Sequence, residues 1–127
     1  MGKKILLADD SITIQKVIEL TFSDEDFEVV TVGNGRLAIE RVADVRPDVV
    51  LCDIIMPVHD GVWLLRQVRE LWPEMIFVAV SGAQDITTVM ELRKLGAIDF
   101  VPKPIGREML HQALDRALAT LELRKSS

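Results

Sequence analysis

The chain has 127 residues, of which 49% are hydrophobic and 28% are charged, with a net charge of −5 at pH 7. This length and composition fit one folded domain and exclude a disordered chain. The negative charge argues against direct binding of nucleic acid, which requires a cationic surface.

Five short apolar segments alternate with five amphipathic ones. Aliphatic and β-branched residues predict strands over Lys4–Ala8, Phe27–Val32, Pro47–Asp53, Met75–Val80 and Ile98–Val101. Apolar residues at helical spacing predict helices over Ser11–Ser23, Arg36–Val45, Gly61–Trp72, Asp85–Leu95 and Arg107–Leu123. This alternation predicts an α/β fold: one doubly wound (βα)5 domain with a parallel five-stranded sheet covered on both faces.

The same spacing predicts which helical side chains face the core. In the second helix they are Leu37, Ala38, Val42 and Val45, and in the third they are Val62, Leu65, Val68, Leu71 and Trp72. At the helix ends, Asp9-Asp10-Ser11 offers N-cap side chains, and Gly96 is placed to end the fourth helix. We expect one domain over residues 1–127, with 124–127 as a tail or the start of a linker.

Polar residues stand where four of the predicted strands end: Asp9 and Asp10, Asp53, Ser81 and Lys103. Singly, each has an ordinary explanation, such as a helix cap or a solvated surface lysine. However, the carboxyl ends of parallel strands share one edge of the sheet, which is where ligands bind in such folds. We therefore expect these side chains to gather at one site.

Such a group of residues suits phosphoryl chemistry. Three neighbouring carboxylates repel one another unless a cation intervenes. An all-oxygen site completed by phosphate favours Mg²⁺, with Mn²⁺ as a substitute. Lys103 and Ser81 would bind phosphoryl oxygens, and an ionised carboxylate can attack phosphorus to form an acyl phosphate.

Four stretches together carry a family resemblance: Asp9-Asp10, Cys52–Gly61, Ser81-Gly82-Ala83 and Phe100–Pro104. In this order, and at strand ends, they resemble the receiver domain of a two-component response regulator over nearly the whole chain. The resemblance implies a flavodoxin-like sheet of strand order 2-1-3-4-5. It also implies a signalling domain that catalyses its own phosphorylation and dephosphorylation, rather than an enzyme.

By this resemblance Asp53 is the phosphoacceptor. Asp9, Asp10 and Asp53 would hold Mg²⁺ together with the backbone carbonyl of Ile55. Since neither Ile55 nor Ala83 offers a polar side chain to orient an attacking water, we also hypothesise a long-lived phosphoryl group.

The resemblance also implies how a signal would spread. Ser81 would be the hydroxyl that moves to the phosphoryl group, Lys103 its counter-ion and Phe100 the aromatic switch. Phe100 stands where many members carry Tyr, so it lacks a hydroxyl to hydrogen-bond. A cis bond between Lys103 and Pro104 is implied as well.

The implied donor is a sensor histidine kinase or a histidine phosphotransfer protein. The surface of the fourth helix, the fifth strand and the fifth helix would then bind a downstream protein or an output domain. Leu118 and Leu123 on the last helix leave open a homodimer or a linker to such a domain.

Three other functions match part of this pattern. A phosphohydrolase resembling the haloacid dehalogenase group would need a second Asp where Ile55 stands. In a flavodoxin-like cofactor binder the acidic first turn would repel the flavin phosphate, and the chain has no Tyr and two Trp for ring stacking. A phosphorylation-silent docking domain is disfavoured because every acceptor-site residue is present.

The remaining signals concern location. Cys52 is the only cysteine and no apolar run is long enough to cross a bilayer, so we expect a cytoplasmic protein that does not bind membranes. Cys52 lies in an apolar run and is predicted to be a core residue. His59 and His111 lack metal-ligand spacing and are predicted to lie at the surface.

Overall fold

The computed structural model describes residues 3–22, 27–56, 58–82, 86–103 and 105–126, and of Ser81, Ile86, Lys125 and Ser126 it describes the backbone. Within these residues five strands alternate with five helices. In chain order they are β1 (Lys3–Ala8), α1 (Ile12–Thr21), β2 (Phe27–Val32), α2 (Gly35–Val45), β3 (Val49–Asp53), α3 (Gly61–Leu71), β4 (Ile76–Ser81), α4 (Ile86–Lys94), β5 (Asp99–Pro102) and α5 (Arg107–Ser126).

All strand pairs are parallel, and the sheet order is β2-β1-β3-β4-β5, which confirms the predicted fold. The central strand β3 is buried along its whole length, as its unbroken apolar sequence predicts. Side chains of α2, α3 and α4 cover one face of the sheet, and those of α1 and α5 cover the other. Cys52 lies buried in the first of these layers, as predicted.

Several element boundaries differ from the sequence prediction. The strand β3 begins at Val49 because the Lys4 N–H of β1 donates to the Asp48 side chain, Oδ2, over 2.8 Å instead of to a backbone carbonyl of the neighbouring strand. At the other end of the chain, α5 continues past Leu123 to Ser126. The predicted helix ends at Ser23 and Asp85 lie outside the described residues.

Two predicted core positions are wrong. Leu37 is 45% exposed, since α2 rests on the sheet through Gly35, Ala38 and Val42 and Leu37 lies to one side of that stripe. Leu71 is 55% exposed because α3 ends there, and it borders an open cavity instead of packing inward. These helices contact the sheet through a narrower stripe than the sequence indicates. None of the described helices is both long and apolar enough to cross a membrane.

The helix caps follow from local side chains. Ser11 caps α1 by accepting a hydrogen bond from the Ile14 N–H over 3.3 Å, which confirms the predicted cap. Asn34 and Asp60 cap α2 and α3 in the same way, each through a 2.9 Å bond. These caps fix where the helices leave the edge of the sheet that carries the strand ends.

Gly61 lets α3 start directly against the end of β3. Its N–H donates to the Ile54 carbonyl over 2.8 Å. A Cβ at this position would lie 2.7 Å from the Ile54 Cα and 2.8 Å from the Asp53 carbonyl oxygen, closer than real Cβ atoms approach backbone. The absent side chain therefore sets the distance between the helix and the strand end that carries Asp53.

We expect Gly61→Ala to destabilise the domain by about 1 to 3 kcal/mol, because the backbone of residues 53–54 must move to admit the methyl group. Gly33→Ala is the matched control, since no atom lies within 4 Å of a Cβ built there. Urea unfolding of both variants measures the difference. Equal midpoints for the two variants would contradict this account of Gly61.

Candidate functional site

The ends of three parallel strands bring together the residues of the predicted site. Asp9 follows β1, Asp53 is the last residue of β3, and Lys103 follows β5. Because β4 lies between β3 and β5, the Lys103 side chain reaches across the end of β4, where Gly82 lies beside its stem. Acidic and basic groups that are far apart in sequence thus meet at one edge.

Asp53 is held from both sides. It is only 4% exposed. Its Oδ1 accepts a hydrogen bond from the Ile55 N–H over 3.2 Å, and its Oδ2 accepts one from Lys103 Nζ over 2.9 Å. A hydrogen bond therefore holds each of the two carboxylate oxygens in place.

Asp9 is fully buried, and its two oxygens differ. Oδ1 accepts a hydrogen bond from the Ser11 N–H over 2.8 Å. Oδ2 is buried without a hydrogen-bond donor, although Lys103 Nζ lies 3.4 Å away as an ion-pair partner. Burying an anionic oxygen without a hydrogen-bond donor costs free energy, which points to a further cation at Asp9 Oδ2.

Burial is the largest influence on Asp9 and raises the pKa of its carboxyl above the ordinary value, as does the negative charge of Asp53. The Ser11 hydrogen bond and the charge of Lys103 act against this rise. For Lys103 burial also disfavours the charged form. The hydrogen bond to Asp53 and the two carboxylate charges outweigh burial and raise the pKa of the ammonium.

Three carboxylates lie close enough to hold one ion. Carboxylate oxygens of Asp9, Asp10 and Asp53 lie within 4.8 Å of one another, the one such group found in the described part of the chain. Asp10 is exposed, whereas Asp9 and Asp53 are buried. Three carboxylates, one with a buried oxygen that lacks a hydrogen-bond donor and one exposed, suit a hard divalent cation.

The structure also locates the residues predicted to surround the site. Ile55 is 68% exposed beside Asp53. Phe100 is half-buried on β5, packs against the core, and has the guanidinium carbon of Arg93 at 4.9 Å from its ring centroid. Ser81 ends β4, opposite Pro102. The Ser81 side chain and the bond to Pro104 lie outside the described residues.

Both histidines lie outside this group. His59 is exposed and its ring stacks on Trp63 at 3.8 Å. His111 is half-buried on α5, with its ring centroid 5.1 Å from that of Phe22. It therefore lies less openly at the surface than predicted.

Sequence reasoning missed two residues that support the site. Gln15 donates from its Nε2 to the Asp9 carbonyl over 2.7 Å, and Gly61 fixes the approach of α3. Gln15 gives no signal in the sequence beyond its place four residues after the Ser11 cap. The sequence places Gly61 in the Cys52–Gly61 stretch and at the start of the third helix, but it gives no signal that Gly61 sets how closely α3 approaches β3.

The chain is similar over most of its length to one protein family. Residues 5–115 match the response regulator receiver domain. This confirms the resemblance seen in the four stretches of sequence, and the chain belongs to this family.

Two curated relatives illustrate the range of the family. The chemotaxis protein CheY of Listeria monocytogenes is 34% identical over 115 residues, which cover 90% of this chain and 97% of that protein. The regulatory protein AtoC of Escherichia coli is 32% identical over 122 residues, 96% of this chain but 26% of that protein. The chain thus spans about a quarter of the length of AtoC.

Solved structures give the same fold. NtrX from Brucella abortus is 31% identical with a TM-score of 0.91, and the match covers 99% of this chain and 29% of that one. The chemotaxis protein CheY4 of Vibrio cholerae is 28% identical with a TM-score of 0.87, covering 92% of this chain and 99% of that one.

We expect Asp9→Asn to stabilise the metal-free protein at pH 7, by about 1 kcal/mol on the usual scale of point mutations. The raised pKa means that ionised Asp9 opposes folding at neutral pH. As the pH falls through that raised pKa toward the ordinary value of 3.8, the folded protein takes up the proton and the advantage of the variant disappears.

Unfolding in chelator between pH 7 and pH 4 measures this effect, with Asp10→Asn as the control for an exposed carboxylate. A variant that is less stable than the wild type at pH 7 would contradict the electrostatic account.

Proposed function

We propose that the domain is a phosphoacceptor switch in which Asp53 receives a phosphoryl group. The observation that carries this proposal is the Asp53 carboxylate itself, held between the Ile55 N–H and Lys103 Nζ at the end of the central strand. Membership of the receiver family supports the same role. The proposed donor is a phosphohistidine on a sensor histidine kinase or a histidine phosphotransfer protein.

The proposed transfer needs no base. A carboxylate oxygen of Asp53 forms a bond to phosphorus while the bond from phosphorus to the donor breaks, and the electron pair leaves with the imidazole nitrogen. With acetyl phosphate the pair leaves with an acetate oxygen. Because the nucleophile is already ionised, the chain only has to position it and balance charge on the transferred group.

Lys103 supplies the fixed positive charge. Its ammonium already lies 2.9 Å from Asp53 Oδ2 and 3.4 Å from Asp9 Oδ2. A phosphoryl group on Asp53 would place new anionic oxygens beside the same ammonium, which then pairs with one of them. The raised pKa of Lys103 keeps the group charged at neutral pH.

Mg²⁺, or Mn²⁺ in its place, would be held by Asp9, Asp10 and Asp53 with the backbone carbonyl of Ile55. The fit rests on the buried Asp9 Oδ2 that lacks a donor and on the close approach of the three carboxylates. When bound, the ion offsets the negative charge that these groups share with a phosphoryl group. One lysine alone leaves that charge unbalanced.

We further propose that the surface of α4, β5 and α5 changes in response. The Ser81 hydroxyl would bind the phosphoryl group, and Phe100 would turn inward. Phe100 is half-buried on β5, where it packs against the core with the guanidinium of Arg93 of α4 over its ring. A downstream protein, an output domain or a second copy of this chain would then bind this surface.

We expect the protein to gain one phosphoryl group when incubated with Mg²⁺ and acetyl phosphate, and Asp53→Asn to gain none. Asp60→Asn is the matched control, because it removes a nearby carboxylate yet keeps a side chain that caps α3. Intact mass measures the outcome, with chelator as the metal-free arm. If neither the wild type nor the Asp60→Asn control gains mass and no Mg²⁺ binds, the domain is a silent docking module.

The phosphoryl group should then be lost slowly. Ile55 stands exposed beside Asp53 and presents no polar side chain to orient a water molecule. Following intact mass after removal of the donor measures the lifetime, and Ile55→Gln should shorten it. Loss within seconds in Mg²⁺ alone would contradict this prediction.

A further inference from the structure

The carboxyl end of α4 closes with a Schellman motif. Gly96 adopts a left-handed backbone with φ of 100°. The Gly96 N–H donates to the Arg93 carbonyl and the Ala97 N–H to the Leu92 carbonyl, each over 3.0 Å. These two bonds use the carbonyls of Leu92 and Arg93. The carbonyls of Leu95 and Gly96 lie just past the end of the helix and need other donors.

A side chain from the neighbouring helix takes both of these carbonyls. Arg69 of α3 donates from Nε to Leu95 O over 2.9 Å and from Nη2 to Gly96 O over 3.0 Å. Its Nη1 donates to Pro73 O, just past the end of α3, over 3.0 Å. One guanidinium thus joins the carboxyl ends of two helices.

The Arg69 guanidinium can lie this close to α4 because Gly96 has no side chain. A Cβ on Gly96 would lie 2.5 Å from Arg69 Nε, so any other residue would displace the guanidinium. Burial is the main cause that lowers the pKa of Arg69 below its ordinary value, yet a guanidinium stays charged at neutral pH. A cation is favourable at the negative end of a helix dipole.

Two further contacts of α4 lie in its carboxyl half. Leu92 is the buried member among the described side chains of α4. Glu91 pairs with Arg66 of α3 over 2.6 Å. The amino end of α4 instead follows β4 and Gly82, at the edge of the sheet that carries Asp53.

We infer that Arg69 is a positioning residue that fixes the carboxyl end of α4 to α3, so that α4 turns about residues 95–97 when Asp53 is phosphorylated. Its amino end then moves most. This inference rests on the proposed function. In this inference Arg69 does not contact the phosphoryl group. Its role is to determine which end of α4 moves when the surface of α4, β5 and α5 changes.

The test is hydrogen exchange of the whole protein, with and without acetyl phosphate and Mg²⁺, in four variants. Arg69→Met keeps a long side chain but removes every donor, and Arg69→Lys restores a cation. Gly96→Ala disrupts the same contact from α4. Val68→Ala is the control, because it weakens the adjacent buried position of α3 and leaves the Arg69 contacts in place.

In the wild type we expect phosphorylation to change exchange mainly at residues 86–91 and little at 95–97. In Arg69→Met and Gly96→Ala the change should extend through 95–97, with partial rescue in Arg69→Lys. In the unphosphorylated protein, loss of charged hydrogen bonds should speed exchange of the Gly96 and Ala97 amides about tenfold in Arg69→Met. Val68→Ala should show neither effect.

The inference is overturned if Arg69→Met keeps the wild-type distribution of changes, or if Val68→Ala spreads them equally. Intact mass shows whether each variant gains a phosphoryl group, and so separates failure of the inference about Arg69 from failure of the proposed function. If no variant gains a phosphoryl group, that function fails. The anchor itself is then refuted by equal exchange of Gly96 and Ala97 in Arg69→Met and Val68→Ala.

Discussion

One ammonium group between two buried carboxylates is the interaction on which the site depends. Lys103 Nζ contacts Asp53 Oδ2 and lies near Asp9 Oδ2, so it joins the ends of β1, β3 and β5. Without that charge, two neighbouring buried carboxylates would both be unfavourable in their ionised forms. Even with it, Asp9 keeps a buried oxygen that lacks a donor. The site therefore carries less positive charge than its carboxylates need, and a divalent cation can supply the difference.

The rest of the fold serves to hold those strand ends in register. The fully buried β3 places Asp53 opposite Val80, and α3 starts against the same strand end because Gly61 has no side chain. The helices α2, α3 and α5 each bury three or more residues, whereas α1 buries one, Ile18, and the described part of α4 also buries one, Leu92. A helix held this lightly depends more on specific polar contacts, and Arg69 provides the most complete of them. Rigid strand ends beside a lightly held helix are a reasonable basis for a switch.

The sequence predicted the fold, and the gathering of Asp9, Asp10, Asp53 and Lys103 at one edge of the sheet, because both follow from strong local patterns. Alternating apolar and amphipathic segments determine a parallel sheet, and parallel strands place residues that end them on one edge. It predicted side-chain burial less well: Leu37 and Leu71 fit a helical stripe but lie outside the surface that their helices present to the sheet. Helical periodicity gives a direction around the axis, but how wide a stripe is covered depends on neighbouring elements.

By itself, the sequence determined the five strands and helices, the gathering of Asp9, Asp53 and Lys103, and the family. Only the tertiary structure decided that Lys103 bridges both carboxylates, that Asp9 Oδ2 is left without a donor, and that Gln15 and Arg69 bind backbone carbonyls. The physical reason is range. Propensity and periodicity act within one element, whereas these contacts join residues on different elements, and no local pattern distinguishes an arginine that caps another helix from one on a solvated face.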